Sequence, residues 1–116
     1  MIDATELNWS LYTSDITVLE LQYVLWEKVS HKVAIEKTQR LLEAEDICVL
    51  STSMDDILRE LEIFKRHPMP SFDALICAVM QREGITFLLS FDRVHFDDLE
   101  SITRIEQLED LQRGYS

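Results

Sequence analysis

Three carboxylates stand where a chain of this pattern could use them together: Glu20, Asp73 and Asp92. Glu20 has Ile16, Leu19, Leu21 and Val24 as helical neighbours, so it projects from a largely apolar surface. A Glu on such a surface is rarely buried unpaired. Asp73 falls in the first turn of a helix beginning at Ser71, with Ile76 and Cys77 above it. Asp92 follows the apolar run Ile85–Leu89, with Ser90 two residues before it. Clustered carboxylates are unfavourable alone: two charges ~4 Å apart repel by about 4 kcal/mol at an effective dielectric near 20. A hard divalent cation, Mg²⁺ or Mn²⁺, offsets that repulsion through oxygen ligands. Taken singly, Asp73 equally serves the helix dipole, worth a few tenths to ~1 kcal/mol. Asp92 equally serves a turn beside Arg93. Sharing one edge of a sheet, the three favour the metal reading.

That shared edge follows from the elements. An apolar run at Leu11–Thr13 precedes Ser14 and Asp15, either of which can cap a helix over about Ile16–Val29. Ser30–His31 breaks it before a second helix, roughly Lys32–Ala44, with Val33, Leu41 and Leu42 apolar and Glu36, Lys37 and Arg40 exposed. Ile47–Leu50 reads as a strand. Thr52-Ser53 with Asp55-Asp56 starts a third helix, whose apolar stripe is Met54, Ile57, Leu58 and Leu61. It ends near Lys65-Arg66-His67, ahead of Pro68. Ser71 caps the fourth helix, with Phe72, Leu75, Ile76, Val79 and Met80 on one face and Gly84 as its stop. Ile85–Leu89 reads as a buried strand and Ile102–Ile105 as a weak edge strand. The tail reads as a short helix or a frayed end. Strands alternating with helices imply an α/β layered domain with a parallel sheet. Right-handed crossovers put the helix N-termini at the carboxyl edge of that sheet, where ligands collect.

Composition sets the bounds. The 116 residues make a single domain over 1–116, with 47% apolar and 28% charged residues, 2 Gly and 2 Pro. The formal net charge of −11 argues against passive coating of polyanions, yet leaves open phosphate chemistry through bound cations. Cys48 and Cys77 read as reduced, buried thiols of a cytoplasmic protein. No signal-peptide pattern opens the chain, and no run approaches the ~20 apolar residues of a membrane span. With 2 glycines, a Gly-rich phosphate loop is impossible. His31, His67 and His95 are widely spaced and none adjoins a nucleophile. Lys65-Arg66-His67 reads as ordinary surface charge, Arg93 as the better substrate-phosphate contact, and Trp9, Tyr23 and Trp26 as core or interface residues.

Three segments together, T-S-D-I-T-V-L-E-L, S-F-D-A-L-I-C-A-V-M and G-I-T-F-L-L-S-F-D-R-V-H-F-D, resemble PIN domains, with the VapC-type toxins as the closest flavour. The resemblance covers about Leu11 to Asp98. It implies a three-layer fold, a central parallel sheet flanked by helices, and a Mg²⁺- or Mn²⁺-dependent ribonuclease whose clustered acids bind the metal. Residue by residue, Glu20, Asp73 and Asp92 match three of the family's four acids, and Ser90 matches the hydroxyl residue before the last one. Asp97 is a candidate outer-shell acid, with a solvated turn as its plainer role. The resemblance further implies an RNA substrate, an antitoxin protein as partner and a homodimer.

The opening departs from the family, which begins with an apolar central strand ending in an essential Asp. Met1–Thr5 imitates that motif with Asp3 in the acid's place, but eight residues between Asp3 and Tyr12 are too few for a crossover of at least ~10–12. Residues 1–9 therefore read as the end of a helix, with Glu6 exposed and Leu7 and Trp9 packing. The domain is accordingly read as N-terminally shortened, its first strand missing from the middle of the sheet, which exposes two apolar edges. Three explanations stay open: a natural start upstream, a strand supplied from elsewhere, or a non-catalytic remnant. The leading expectation is a PIN-type endoribonuclease of a toxin–antitoxin pair. The alternative is a catalytically inactive oligomeric interaction module.

Overall fold

Serines set the starts of three of the four helices. Ser14 closes strand β1 (Leu11–Ser14), and its Oγ accepts the Thr17 amide at 3.1 Å to open helix α1 (Asp15–Lys28). Ser30 does the same for helix α2 (His31–Glu43), accepting the Val33 amide at 3.0 Å. After strand β2 (Ile47–Leu50), Ser53 and Asp56 form a reciprocal capping box at the head of helix α3 (Met54–Arg66). Helix α4 (Ser71–Glu83) differs: Pro70 occupies its cap, Ser71 is its first helical residue, and no side chain caps it. Proline has no amide to satisfy and its fixed φ suits a helix entrance. Gly84 ends α4 at φ 68°, where the Ile85 amide donates to the Met80 carbonyl at 2.9 Å. Strands β3 (Phe87–Leu89) and β4 (Thr103–Ile105) follow.

The computed structural model describes residues 10–90, 96, 99 and 101–107. Both strand pairings are parallel, as the alternation of strands and helices requires. β1 runs beside β2 with Leu11 opposite Ile47, and β3 beside β4 with Phe87 opposite Thr103. Among the described residues the strands form two two-stranded sheets, in which β1 is not paired with β3. The expected strand at 85–89 is shortened to three residues, because Ile85 is used to close the α4 cap.

The core belongs mainly to the second half of the chain. Ala74, Cys77, Ala78 and Met80 of α4 pack with Ile63 of α3 and with Met69, Phe96, Leu99 and Ile102. The first half buries only small or polar groups on its helices: Val18 of α1, and Ala34 and Thr38 of α2. The apolar faces expected to turn inward do not all do so. On α3, Met54, Ile57, Leu58 and Leu61 are exposed, while Asp56 is fully buried. Leu42 of α2 and Phe72 of α4 are likewise exposed. Tyr23 and Trp26 stand outside the core as a tilted ring pair with centroids 6.0 Å apart. Cys48, expected to be buried, is exposed, whereas Cys77 is buried as expected. No helix among the described residues is long and apolar enough to cross a membrane. Residues 1–9, with Asp3, Glu6, Leu7 and Trp9, and the chain's tail lie outside the described residues, as does His95.

Candidate active site

A cleft of about 680 Å³ runs between the two sheets. All four residues of β1 and all three of β3 line it, whereas β2 contributes only its two ends and β4 nothing. Successive strand residues point to opposite faces, so a cleft that touches every one of them lies along the strand edges and not over a face. The acids enter it from the two flanking helices. On α1, Thr17, Glu20 and Val24 share one side at intervals of three and four residues and reach the cleft together. On α4, Asp73 and Ile76 reach it from the opposite wall.

The cleft is polarised from end to end. Ser14, Thr17, Glu20, Asp73 and Ser90 gather where β1 and β3 finish, and Ile47 and Ile85 line it where the strands begin. This follows from the local order: β1 leads directly into α1, and α4 runs back to β3 through the Gly84 turn. Both strands therefore point their carboxyl ends at the acidic pair. Glu20 and Asp73 interact electrostatically. Partial burial and the charge of Asp73 together hold the Glu20 carboxyl above its usual range. Burial, with Asp73 again adding to it, pushes the Cys77 thiol up to about 12, which keeps that thiol protonated and inert.

Neighbouring groups fix the rim. Asp15, the first residue of α1, accepts the Thr52 amide at 3.0 Å and the Thr52 hydroxyl, and its Oδ1 also accepts the Ile16 amide at 2.8 Å. Burial pushes its carboxyl up, but these donors outweigh burial and hold it below the usual value. The clamp ties the end of β2 to the start of the helix that carries Glu20. Across the cleft, the Ser90 amide donates to the Ile105 carbonyl at 2.9 Å, and the Arg104 guanidinium donates to the Ser90 carbonyl at 2.9 Å. Arg104 also meets Glu106 at 3.1 Å.

Of the expected site residues, Glu20, Asp73 and Ser90 meet at one cleft. Asp92, Arg93 and Asp97 lie outside the described residues. Among the described residues no group of three or more metal-ligating side chains stands together, so Glu20 and Asp73 are the pair to test. Their donors are carboxylate oxygens, joined at the same end of the cleft by the Ser14, Thr17 and Ser90 hydroxyls. Such a set suits a hard divalent cation, and the mutual repulsion felt at Glu20 is what that cation would relieve. Lys65 pairs with Glu62 at 3.1 Å on the exposed face of α3, an ordinary surface ion pair. Sequence reasoning missed Thr17, although its place three residues before Glu20 was the available signal. It also missed Arg104 and the Asp15–Thr52 clamp, whose partners lie 14 and 37 residues apart and leave no local trace.

Parallel strands with helical crossovers, and acids converging at the strands' carboxyl ends, define an α/β domain of the kind that handles a charged ligand at that edge. The PIN domain model matches residues 4–101, and the chain belongs to the PIN domain family. The fold is similar to the VapC20 toxin of Mycobacterium tuberculosis, described as cleaving the sarcin-ricin loop (TM-score 0.67, 22% identity, 74% of this chain and 68% of that one). It is also similar to a chain of a toxin–antitoxin complex from Klebsiella pneumoniae (TM-score 0.57, 14% identity, 78% of this chain and 69% of that one). No curated protein gives a significant match to this sequence.

Proposed function

We propose that this protein is a Mg²⁺- or Mn²⁺-dependent endoribonuclease and the toxin of a toxin–antitoxin pair. The observation that carries the reading is the Glu20–Asp73 carboxylate pair, brought from two helices to one cleft where both strands end. Family membership supports it, as do the sarcin-ricin-loop cleavage named for the one structural relative and the antitoxin complex named for the other. In this reading Glu20 and Asp73 hold the cation together with Asp92, and Asp97 stands behind them. A bound divalent cation would supply charge to a phosphodiester during in-line attack and to the departing oxygen. The chain's own residues bind and orient: Ser90 and Arg93 meet the phosphate, and the apolar cleft wall keeps bulk water away. The test is cleavage of RNA with Mn²⁺ or Mg²⁺ by the wild type and by Asp73→Asn. The substitution is expected to slow cleavage on the order of tenfold or more. Equal cleavage by both proteins would remove the proposed site.

A second reading, a PIN-like interaction module without catalysis, is favoured by one observation. The stripe Met54, Ile57, Leu58, Leu61 and Phe64 runs along α3 exposed to solvent, a contiguous apolar face of the kind that marks a protein interface. A protein partner such as an antitoxin, or a second copy in a homodimer, would cover it. Calorimetric titration with Mn²⁺ separates the two readings: absence of binding at millimolar metal favours the module.

A further inference from the structure

Three consecutive residues carry the chain from one half of the molecule to the other, and each is gripped by a side chain from elsewhere. β1, α1, α2 and β2 lie before the 51–53 turn, and α3, α4, β3 and β4 after it. Helices pack within each half, α1 with α2 and α3 with α4. The parallel ladder of β1 and β2 ends with Ser14 opposite Leu50. One residue further, the first strand has passed into α1 and the second into the turn. There the Asp15 carboxylate continues the ladder with a side chain: the Thr52 amide donates to its Oδ2 at 3.0 Å and the Thr52 hydroxyl to its Oδ1 at 2.5 Å. From the other side, the Arg82 guanidinium in the last turn of α4 donates to the Ser51 carbonyl at 3.0 Å. Arg82 also donates to Asp56 Oδ2, which accepts the Ser53 amide at 2.9 Å. The turn is thus a strut, with α1 bonded to one side and α4 to the other.

Starting the helix does not require this arrangement. Ser14 already caps α1 by accepting the Thr17 amide at 3.1 Å, and an Asp in the first turn serves the helix dipole equally well facing water. Asp15 instead turns both oxygens to a residue 37 positions away. What these bonds add is the direction of α1, and α1 carries Glu20. The core holds α4 through Ala74, Cys77, Ala78 and Met80, whereas α1 buries only Val18. The clamp therefore decides where α1 points. Glu20 stands about 7.5 Å along the helix axis from Asp15, so a tilt of about 10° at the clamp displaces it by roughly 1 Å. Groups that share a ligand must be held to within about 0.5 Å. We propose that Asp15 and Thr52, with Arg82 holding the far side of the turn, are positioning residues of the acidic site: they fix α1 relative to α4 so that Glu20 stays beside Asp73. The strut stands on the bonds just described, and its consequence for a cation rests on the function proposed above.

The test uses the full chain, first without metal. Residual dipolar couplings of the α1 and α4 amides are expected to fit one alignment tensor in the wild type. In Thr52→Val and in Asp15→Asn the α1 couplings are expected to shrink and to leave that tensor; in Thr52→Ser, which keeps the hydroxyl, they are expected to stay on it. Ala34→Gly, which destabilises the interior of α2 without touching the turn, is expected to leave α1 on the wild-type tensor. Calorimetric titration with Mn²⁺ then reads the site: Thr52→Val should weaken binding about tenfold or more, and Ala34→Gly should leave it unchanged. Arg82→Met should weaken binding too. Combined with Thr52→Val it should weaken binding by less than the product of the two, because both grips act through one turn. The proposal is overturned if Thr52→Val and Asp15→Asn keep the wild-type couplings, if Ala34→Gly disturbs them equally, or if the Thr52→Val and Arg82→Met effects multiply. Altered couplings with unchanged Mn²⁺ affinity overturn the positioning of Glu20. Wild-type protein that binds no Mn²⁺ overturns the proposed function instead, and the couplings alone then decide the strut.

Discussion

Asp56 is fully buried at the head of α3, and the Arg82 guanidinium answers its charge. Its Oδ2 accepts the Ser53 amide at 2.9 Å, the Ser53 hydroxyl at 3.0 Å and the Arg82 guanidinium, while its Oδ1 has no partner among the described residues. Arg82 also donates to the Ser51 carbonyl at 3.0 Å, so it fastens the last turn of α4 to the β2–α3 turn. Replacing Arg82 by Met leaves a buried carboxylate without its counter-charge, a loss that costs about 3–5 kcal/mol in comparable cases. Arg82 is 28% exposed, so water partly reaches the pair, and the two Ser53 bonds survive. Both effects place Arg82→Met at about 3 kcal/mol, the low end of that range. A domain of this size has roughly 6–17 kcal/mol of stability in all, so the midpoint of thermal unfolding should fall by about 12 °C. Asp56→Asn keeps an acceptor for Ser53 and Arg82 and removes only the charge, so about 1–2 kcal/mol is expected. Urea unfolding followed by circular dichroism measures both, with an unchanged slope confirming that the native state is compared. A cost below about 1 kcal/mol for Arg82→Met, or equal costs for the two substitutions, would refute the argument that charge compensation holds this corner together.

The Asp15 clamp and the acidic pair give opposite pH signatures. Because its donors hold Asp15 below the ordinary value of 3.8, its stabilisation is complete above that pH and drains away as pH falls through the lower folded value. Thr52→Val should cost about 1 kcal/mol at pH 6 and less at pH 3; a difference independent of pH would contradict this. Glu20 is held above 4.5, so its ionisation costs stability as pH rises through the folded value. Asp73→Asn removes the like charge and should move the Glu20 carboxyl back toward its usual range in an NMR titration; an unmoved midpoint would mean the two acids do not share the cleft.

How much of this was legible depended on the range of each interaction. β2 falls on the expected residues, and the caps at Ser14 and Ser53 are local signals that the structure uses as read, whereas Ser30, read as a break, caps α2, and Ser71, read as a cap, does not cap α4. Glu20 and Asp73 were placed at one edge by topology alone, since helix starts in parallel crossovers share it. The α3 stripe lies together on one face, as its spacing requires, and that face is exposed. Periodicity reports which residues lie together, not whether that face meets this chain or another. What α3 buries is Ile63 and Asp56, the latter turned inward by the capping box and tolerable because of Arg82, 26 residues away. No local pattern announces such a pair. Cys48 escaped for a related reason: a four-residue apolar run does not say which of its side chains will be covered.

The same division explains why the site and the cleft belong together physically. Glu20 stands on the half built from β1, α1, α2 and β2, and Asp73 on the half that contains the core. Their repulsion therefore acts across the seam between the halves, at the end where both strands finish. The first half has little burial of its own: Leu19, Tyr23, Val24 and Trp26 of α1 and Ile35 and Leu42 of α2 remain exposed. It is thus the half whose ordering depends most on what crosses the seam, since local stability follows buried apolar contact. Under the proposed function, a cation between the carboxylates would reduce that repulsion.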